Sequence, residues 1–353
     1  MEVRKSLTPR NANIAAMRLF RARQSADSPH PVFAFWDWWR RDGHAVNPHA
    51  ASPKVVELNR RVLSIDNGLA WHFSAGTESK HRLTVSAGGQ AALRPLAERG
   101  LRAAPPADAT WEFRASQEAE PSALSNIVEI GKARVDLSKT LFSLQSDVNR
   151  MRVDVGVYHP QFGALQEEVR TQISFLVLDW LLGEDDVERW LGVIETLTAL
   201  PTPSATPDDV VAAVAGLAEQ RNLDEWVLVK WADTDGFPVI ASSRKGLRWN
   251  DFPTLDQHLT VYIPFESRDD GLPADGGVLD SLHTLEDELE ETIRGRGILV
   301  GHETTQGRRS FHVYLDSEDQ NASQPATDWA VERGSEIRSD KDPAWTAVRH
   351  LTG

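Results

Sequence analysis

The sequence predicts an α+β protein of two domains with ferredoxin-like character, built from strand-strand-helix-strand units on antiparallel sheets. Three observations lead there. Apolar residues recur at helical spacing in some segments and alternate in others. The order strand, strand, helix, strand occurs twice before residue 200, which makes the N-terminal domain readable as a duplicated split unit. Pro201-Thr202-Pro203-Ser204-Ala205-Thr206-Pro207 is a proline-rich connector that favours extended backbone. The expected organisation is a basic, partly disordered leader at 1–28, an α+β domain at 29–200, a linker at 201–207 and an acidic α+β domain at 208–353.

Residues 31–42 open with a proline and place Phe35, Trp38 and Trp39 on one helical stripe. Ser52-Pro53 caps a second helix reaching Ile65, because serine accepts from the first turn and proline fits there. Asn67-Gly68 stops it. Alternating segments at 69–73 and 82–86, a helix at 90–98 and a strand at 110–113 follow. The same order returns at 139–145, 150–158, a helix at 162–190 broken at Gly183, and 192–196. Trp36, Trp38 and Trp39 could form a stacking platform for nucleic acid, but such a platform needs an interleaved basic groove. Only Arg40 and Arg41 adjoin, so the cluster reads as core.

Beyond the connector, Val210, Val211, Val214 and Leu217 mark a helix over 208–220, with acids at its positive end. Strands at 226–231 and 237–241 flank Asp233-Thr234-Asp235-Gly236, a hairpin turn whose Asp-Gly pair tolerates positive φ. A strand at 259–265 precedes a long amphipathic helix at 279–293. A second hairpin, 297–303 with 310–315, turns at Gln306-Gly307. Residues 339–345 are expected to start a last short helix, whose Trp345 and Leu351 pack back.

The chain carries 52 acidic and 38 basic side chains, a net charge of −14, and no cysteine. Disulfide scaffolds, cysteine zinc sites, iron–sulfur clusters and thiol nucleophiles are excluded. Residues 1–200 hold 24 acidic and 24 basic side chains and residues 201–353 hold 28 and 14, so all of the net charge belongs to the second part. No stretch approaches the roughly 18 apolar residues of a membrane span. The leader, rich in arginine, lacks the apolar block of a secretory signal. Either Met1 or Met17 serves as a start. A cytoplasmic protein is expected.

No nucleophile elbow, phosphate loop or dinucleotide fingerprint occurs, and no cofactor or metal is called for. Acidic runs include Asp269-Asp270 and Glu286-Asp287-Glu288-Leu289-Glu290-Glu291. In the second, Leu285, Leu289 and Ile293 form a buried stripe and the acids a solvated face. His302 and His312 fall on paired strands at a metal-like spacing, yet a zinc site needs a third ligand.

The order Trp226, Trp231, Phe237-Pro238-Val239, Leu259 to Pro264, Gly271-Leu272-Pro273, Leu285-Glu286-Asp287, Gly301 to Arg309 and Asp342-Pro343-Ala344-Trp345 resembles the bacterial domain of unknown function 695 family. It covers about residues 224–353. The resemblance implies an α+β sheet domain and a bacterial source; it assigns no activity and no catalytic residue.

These readings converge on a non-enzymatic protein-binding or regulatory protein of the inhibitor or immunity type. Its acidic C-terminal domain would engage a basic protein, with Asp269, Asp270, Glu286, Asp287, Glu290, Arg308 and Arg309 as the binding candidates. Neither nucleic acid nor membrane is an expected partner. The alternative is a hydrolase using His302, Glu303 and His312, with Arg308 or Arg309, in an interdomain cleft.

Overall fold

The computed structural model describes residues 30–130, 133–319 and 321–352. The expected leader and the choice between Met1 and Met17 lie outside them. The chain divides into two units, residues up to 90 with 99–115, and residues 91–98 with 116 onward.

In the first unit, helix α1 (Pro31–Arg41) begins at His30, whose ring accepts the Val32 N–H at 3.3 Å. Helix α2 (Pro53–Ile65) is capped by Ser52 as the sequence requires. Strands β1 (Ala70–Ala75) and β2 (His81–Ser86) pair antiparallel. Helix α3 (Arg94–Arg102) is divided between the units and returns the chain to β3 (Trp111–Arg114), parallel to β2. The tryptophan cluster is core: Trp36 and Trp39 lie edge-on to Phe113, with centroids 4.9 and 5.7 Å apart. Trp36 Nε1–H donates to Gly100 O at 2.7 Å, and the neighbouring Trp111 Nε1–H to His44 O at 2.8 Å.

The second unit starts with the hairpin β4 (Ile127–Ile130) and β5 (Ala133–Asp136). Strands β6 (Leu141–Asp147) and β7 (Arg152–Tyr158) pair antiparallel, helices α4 (Glu167–Leu182) and α5 (Glu184–Trp190) follow, and β8 (Leu191–Leu197) joins β7 in parallel. The helix breaks at Gly183 because its φ of +86° suits glycine, and a Cβ there would meet Gln117 O and Ala119 N at 3.0 Å. Helix α6 (Pro207–Gln220) carries a capping box between Thr206 and Asp209.

The proline-rich segment runs inside this unit instead of between units. Phe142 and Ala205 exchange backbone hydrogen bonds of 2.9 and 2.7 Å, and Val210, Val214 and Leu217 share one core with Phe142, Val155 and Val177. The sequence signal was genuine stiffness, but a stiff segment can also add to a sheet edge.

Strands β9 (Trp226–Ala232), β10 (Pro238–Arg244), β11 (Leu255–Pro264), β12 (Gly297–Thr305), β13 (Arg308–Asp316) and β14 (Glu336–Lys341) form an antiparallel sheet in the order β14-β11-β13-β12-β10-β9. Helices α7 (Gly276–Ile293) and α8 (Gln324–Glu332) pack on one face against Val261, Phe311 and Val313. The short α9 (Arg349–Thr352) and Trp345 cover part of the other, against Ala241, Val300 and Tyr314.

The α+β class holds, while this six-stranded sheet takes the place of a ferredoxin-like unit. Residues 339–341 are strand, not the start of a helix, and α8 had no sequence expectation. Strand β14 carries almost no apolar pattern because it is an edge; only Ile337, opposite Val261, packs inward. Among the described residues no helix is long and apolar enough to cross a membrane.

Candidate functional site

Polar side chains gather on the α9 face of this sheet because β11 and β13 alternate in register. His258 lies opposite Tyr314 and Thr260 opposite His312, while β12 contributes Glu303 beside Ser310. His258 Nε2 and His312 Nδ1 are 3.0 Å apart, His312 Nε2 is 3.2 Å from Glu303 Oε2, and His350 Nε2 is 2.8 Å from Glu303 Oε1. An ionised carboxylate only accepts, so both His312 and His350 present Nε2–H to Glu303. Between His258 Nε2 and His312 Nδ1 one nitrogen donates and the other accepts.

Burial, followed by the neighbouring His312, pushes His258 down to about 4, so this ring is neutral at ordinary pH. Desolvation raises Glu303, but the hydrogen bonds from His312 and His350 outweigh it and hold the carboxyl near about 2. The same bond raises His350. Beneath the line, Tyr314 stacks on His258 at 4.8 Å and on Trp345 at 4.3 Å, and its hydroxyl donates to Asp342 Oδ2 at 2.7 Å. Asp342 also accepts from Thr346 and from the Ala347 N–H, which anchors the segment leading to α9.

The other candidates are elsewhere. His302 is on the opposite face, its Nδ1 2.9 Å from Glu286 Oε1 on α7. Its neighbour Arg309 is 3% exposed and donates through Nε to Thr304 Oγ1 at 3.0 Å. Glu286 is therefore an internal partner and not part of a solvated face. Glu290 pairs with Arg244, whose guanidinium lies 5.0 Å from the Trp226 ring. Arg308 is exposed and sits 4.5 Å from the Tyr262 ring. Asp269, Asp270 and Asp287 are exposed, with Asp270 paired to Arg268. The expected hydrolase constellation is thus split between two faces: Glu303 and His312 meet, and His302 and Arg309 do not join them. Both oxygens of Glu303 and both nitrogens of His312 are already engaged within the domain. Among the described residues, no group of three or more His, Cys, Asp or Glu is placed to hold a metal ion.

Sequence reasoning missed His258, His350 and Asp342. Its available signal was the matched polar alternation His258-x-Thr260-x-Tyr262 against Ser310-x-His312-x-Tyr314.

The two sheet edges differ sharply. Strand β14 ends in Arg338, Ser339, Asp340 and Lys341, a charged edge that discourages pairing. Strand β9 leaves Leu228, Val229 and Trp231 exposed by 60, 39 and 37% on an edge that no other strand of the sheet covers.

Fold and site together define an α+β domain with a half-covered antiparallel sheet, an internal histidine line and one apolar open edge. Residues 224–350, which contain all of it, match the model of a family of unknown function, DUF695. No curated protein and no solved structure matches the chain.

Proposed function

We propose that this is a non-enzymatic protein-binding, regulatory protein of the cytoplasm, and that its C-terminal domain takes up an extended segment of a basic partner along β9. The observation that carries the reading is the contrast between edges: β14 is charged, while β9 exposes Leu228, Val229 and Trp231. An uncovered strand offers backbone donors and acceptors to an incoming strand, and flanking side chains select it. The excess of acids after residue 200 favours a basic partner and speeds encounter. The internal engagement of Glu303 and His312 supports binding over catalysis, since a general base needs a lone pair turned to substrate.

The test uses the full chain and the variants Leu228→Glu and Trp231→Glu, each checked by circular dichroism, in crosslinking pull-downs from host extract at low and moderate salt. The reading expects a basic protein retained by the wild type and lost by both variants. Equal retention by the variants removes β9 from the argument, and recovery of no basic protein at either salt removes the reading itself.

A further inference from the structure

A second open edge lies in the other part of the same unit, at β8. The sheet order β6-β7-β8 leaves β8 bonded to β7 on one side only. Glu167, Thr171, Ser174 and Phe175 of α4 and Ile194, Glu195 and Thr196 of β8 line a groove of about 370 Å³ between helix and strand. Spacing of i, i+4, i+7 and i+8 puts these helix residues on one line.

Two features of this groove are not explained by the fold. Ser174 is fully buried, yet its Oγ has no hydrogen-bond partner, although a helical serine ordinarily finds one in the preceding turn. Phe175 is 41% exposed at the groove wall. Glu167, in the first turn of α4 where the positive helix end favours an acid, and Glu195 are exposed at the opening. Phe175 and Ile194 within a mostly polar lining, an unsatisfied hydroxyl, exposed carboxylates and a strand bonded on one side only describe one kind of occupant. It has backbone groups to pair with β8, a side chain to pack on Phe175 and Ile194, and cations to meet the two glutamates.

We propose that the groove between α4 and β8 binds an extended, lysine- or arginine-bearing segment of another protein, which adds to the sheet as a fourth strand beside β8. The site is independent of β9, since it uses a different sheet and different acids.

The probe is a fluorescein-labelled synthetic peptide alternating lysine and valine, added to the full chain; a glutamate–valine peptide and a serine–valine peptide of equal length are the controls. Anisotropy reads affinity, and amide hydrogen exchange reads the place. The lysine peptide is expected to bind at least roughly tenfold tighter than the serine peptide and to slow exchange within residues 193–197. The double variant Glu167→Lys with Glu195→Lys, whose circular dichroism matches the wild type, is expected to lose that preference. Protection at 193–197 is expected to survive in Leu228→Glu, while any protection at 226–232 is lost there, which separates this site from β9.

Unchanged exchange at 193–197, or protection there that is equal with the lysine and serine peptides or undiminished in the double variant, would each overturn the proposal. So would a chain lacking residues 1–29 that binds the peptide markedly more tightly than the full chain, because the arginine-rich N-terminal segment would then be the occupant.

Discussion

Asp342 is the residue whose replacement gives the sharpest reading of the C-terminal domain. Its Oδ2 accepts from Tyr314 Oη–H at 2.7 Å and from the Ala347 N–H at 2.8 Å; its Oδ1 accepts from the Thr346 N–H at 2.9 Å and from the Thr346 hydroxyl at 2.6 Å. In Asp342→Asn one of these oxygens becomes an NH2 group, so whichever way the amide turns one backbone N–H, of Ala347 or of Thr346, faces a donor, and the hydroxyl beside it loses its charged acceptor and must turn to accept. Each lost bond to a charged acceptor is worth about 1.5 kcal/mol or more, giving a cost of about 3 kcal/mol. Tyr314→Phe removes one bond and leaves the other three, and should cost about 1.5 kcal/mol. The charged acceptor of the Tyr314 hydroxyl is already gone in Asp342→Asn, so in the double variant the two costs should fall short of additivity by about 1 kcal/mol.

Urea unfolding followed by tryptophan fluorescence, with hydrogen exchange of β11 and β13 as the local readout, measures all four proteins. The pH dependence has a definite sign. Desolvation raises Asp342, but the hydrogen bonds from Ala347, Thr346 and Tyr314 prevail and lower it below its ordinary 3.8. Its contribution is therefore present above that value and disappears as pH falls through the lower folded value. A gap between wild type and Asp342→Asn that stays constant from pH 7 down through that range, or a Tyr314→Phe variant as stable as the wild type, would refute this account.

Other expectations follow from the same geometry. The raised His350 contributes stability that is complete below its ordinary 6.5 and is lost as pH rises through the folded value, so exchange at Leu351 should speed up in mildly alkaline solution; Glu303→Gln should abolish that dependence. His258, held near about 4, gives the opposite sign: stability falls as pH drops from about 6.5 toward 4, and its ring resonances should not titrate above about pH 5. In the first unit, Glu112 accepts the backbone N–H groups of Thr77, Glu78 and Ser79 at 3.1, 3.0 and 3.2 Å and Arg82 Nε–H at 2.8 Å. Glu112→Gln should cost about 3 kcal/mol in thermal unfolding of that unit, since it strips a charge partner from a buried arginine.

What was readable in the sequence was local. The Ser52 cap, the Gly183 break, the Asp235-Gly236 turn and the burial of Trp36, Trp38 and Trp39 each depend on a few neighbouring residues, and each appears where expected. The site depends on pairing between distant strands. His258 meets His312 only because β11 lies beside β13, across 54 residues. The failed expectation for His302 has a more specific cause. Between Leu299 and Gly301 the register of β12 against β13 slips by one residue, so Val300 is an insertion in the ladder. A bulge reverses which face each later side chain occupies. Without it, His302 would share the face of His312 and Ser310. With it, His302 turns to Glu286, and Glu303 takes its place.

The charge excess acquires a different meaning once its acids are located. Glu286, Glu290, Glu303 and Asp342 are engaged with His302, Arg244, two histidines and Tyr314, so they are part of the domain's own structure. Asp269 and Asp287 remain exposed, and exposed charges act over a Debye length of about 8 Å at physiological salt. Such charges steer encounter but hold little once a complex has formed. A partner strand paired along β9, as proposed, would be held in the reverse way, because strand pairing and burial of Leu228 and Trp231 resist salt. A partner bound there should therefore associate more slowly as salt rises while dissociating at nearly the same rate. Trp231→Glu should accelerate dissociation and Asp287→Asn should leave it unchanged. If salt instead changed mainly the dissociation rate, the acids would be the contact and the strand edge an accessory.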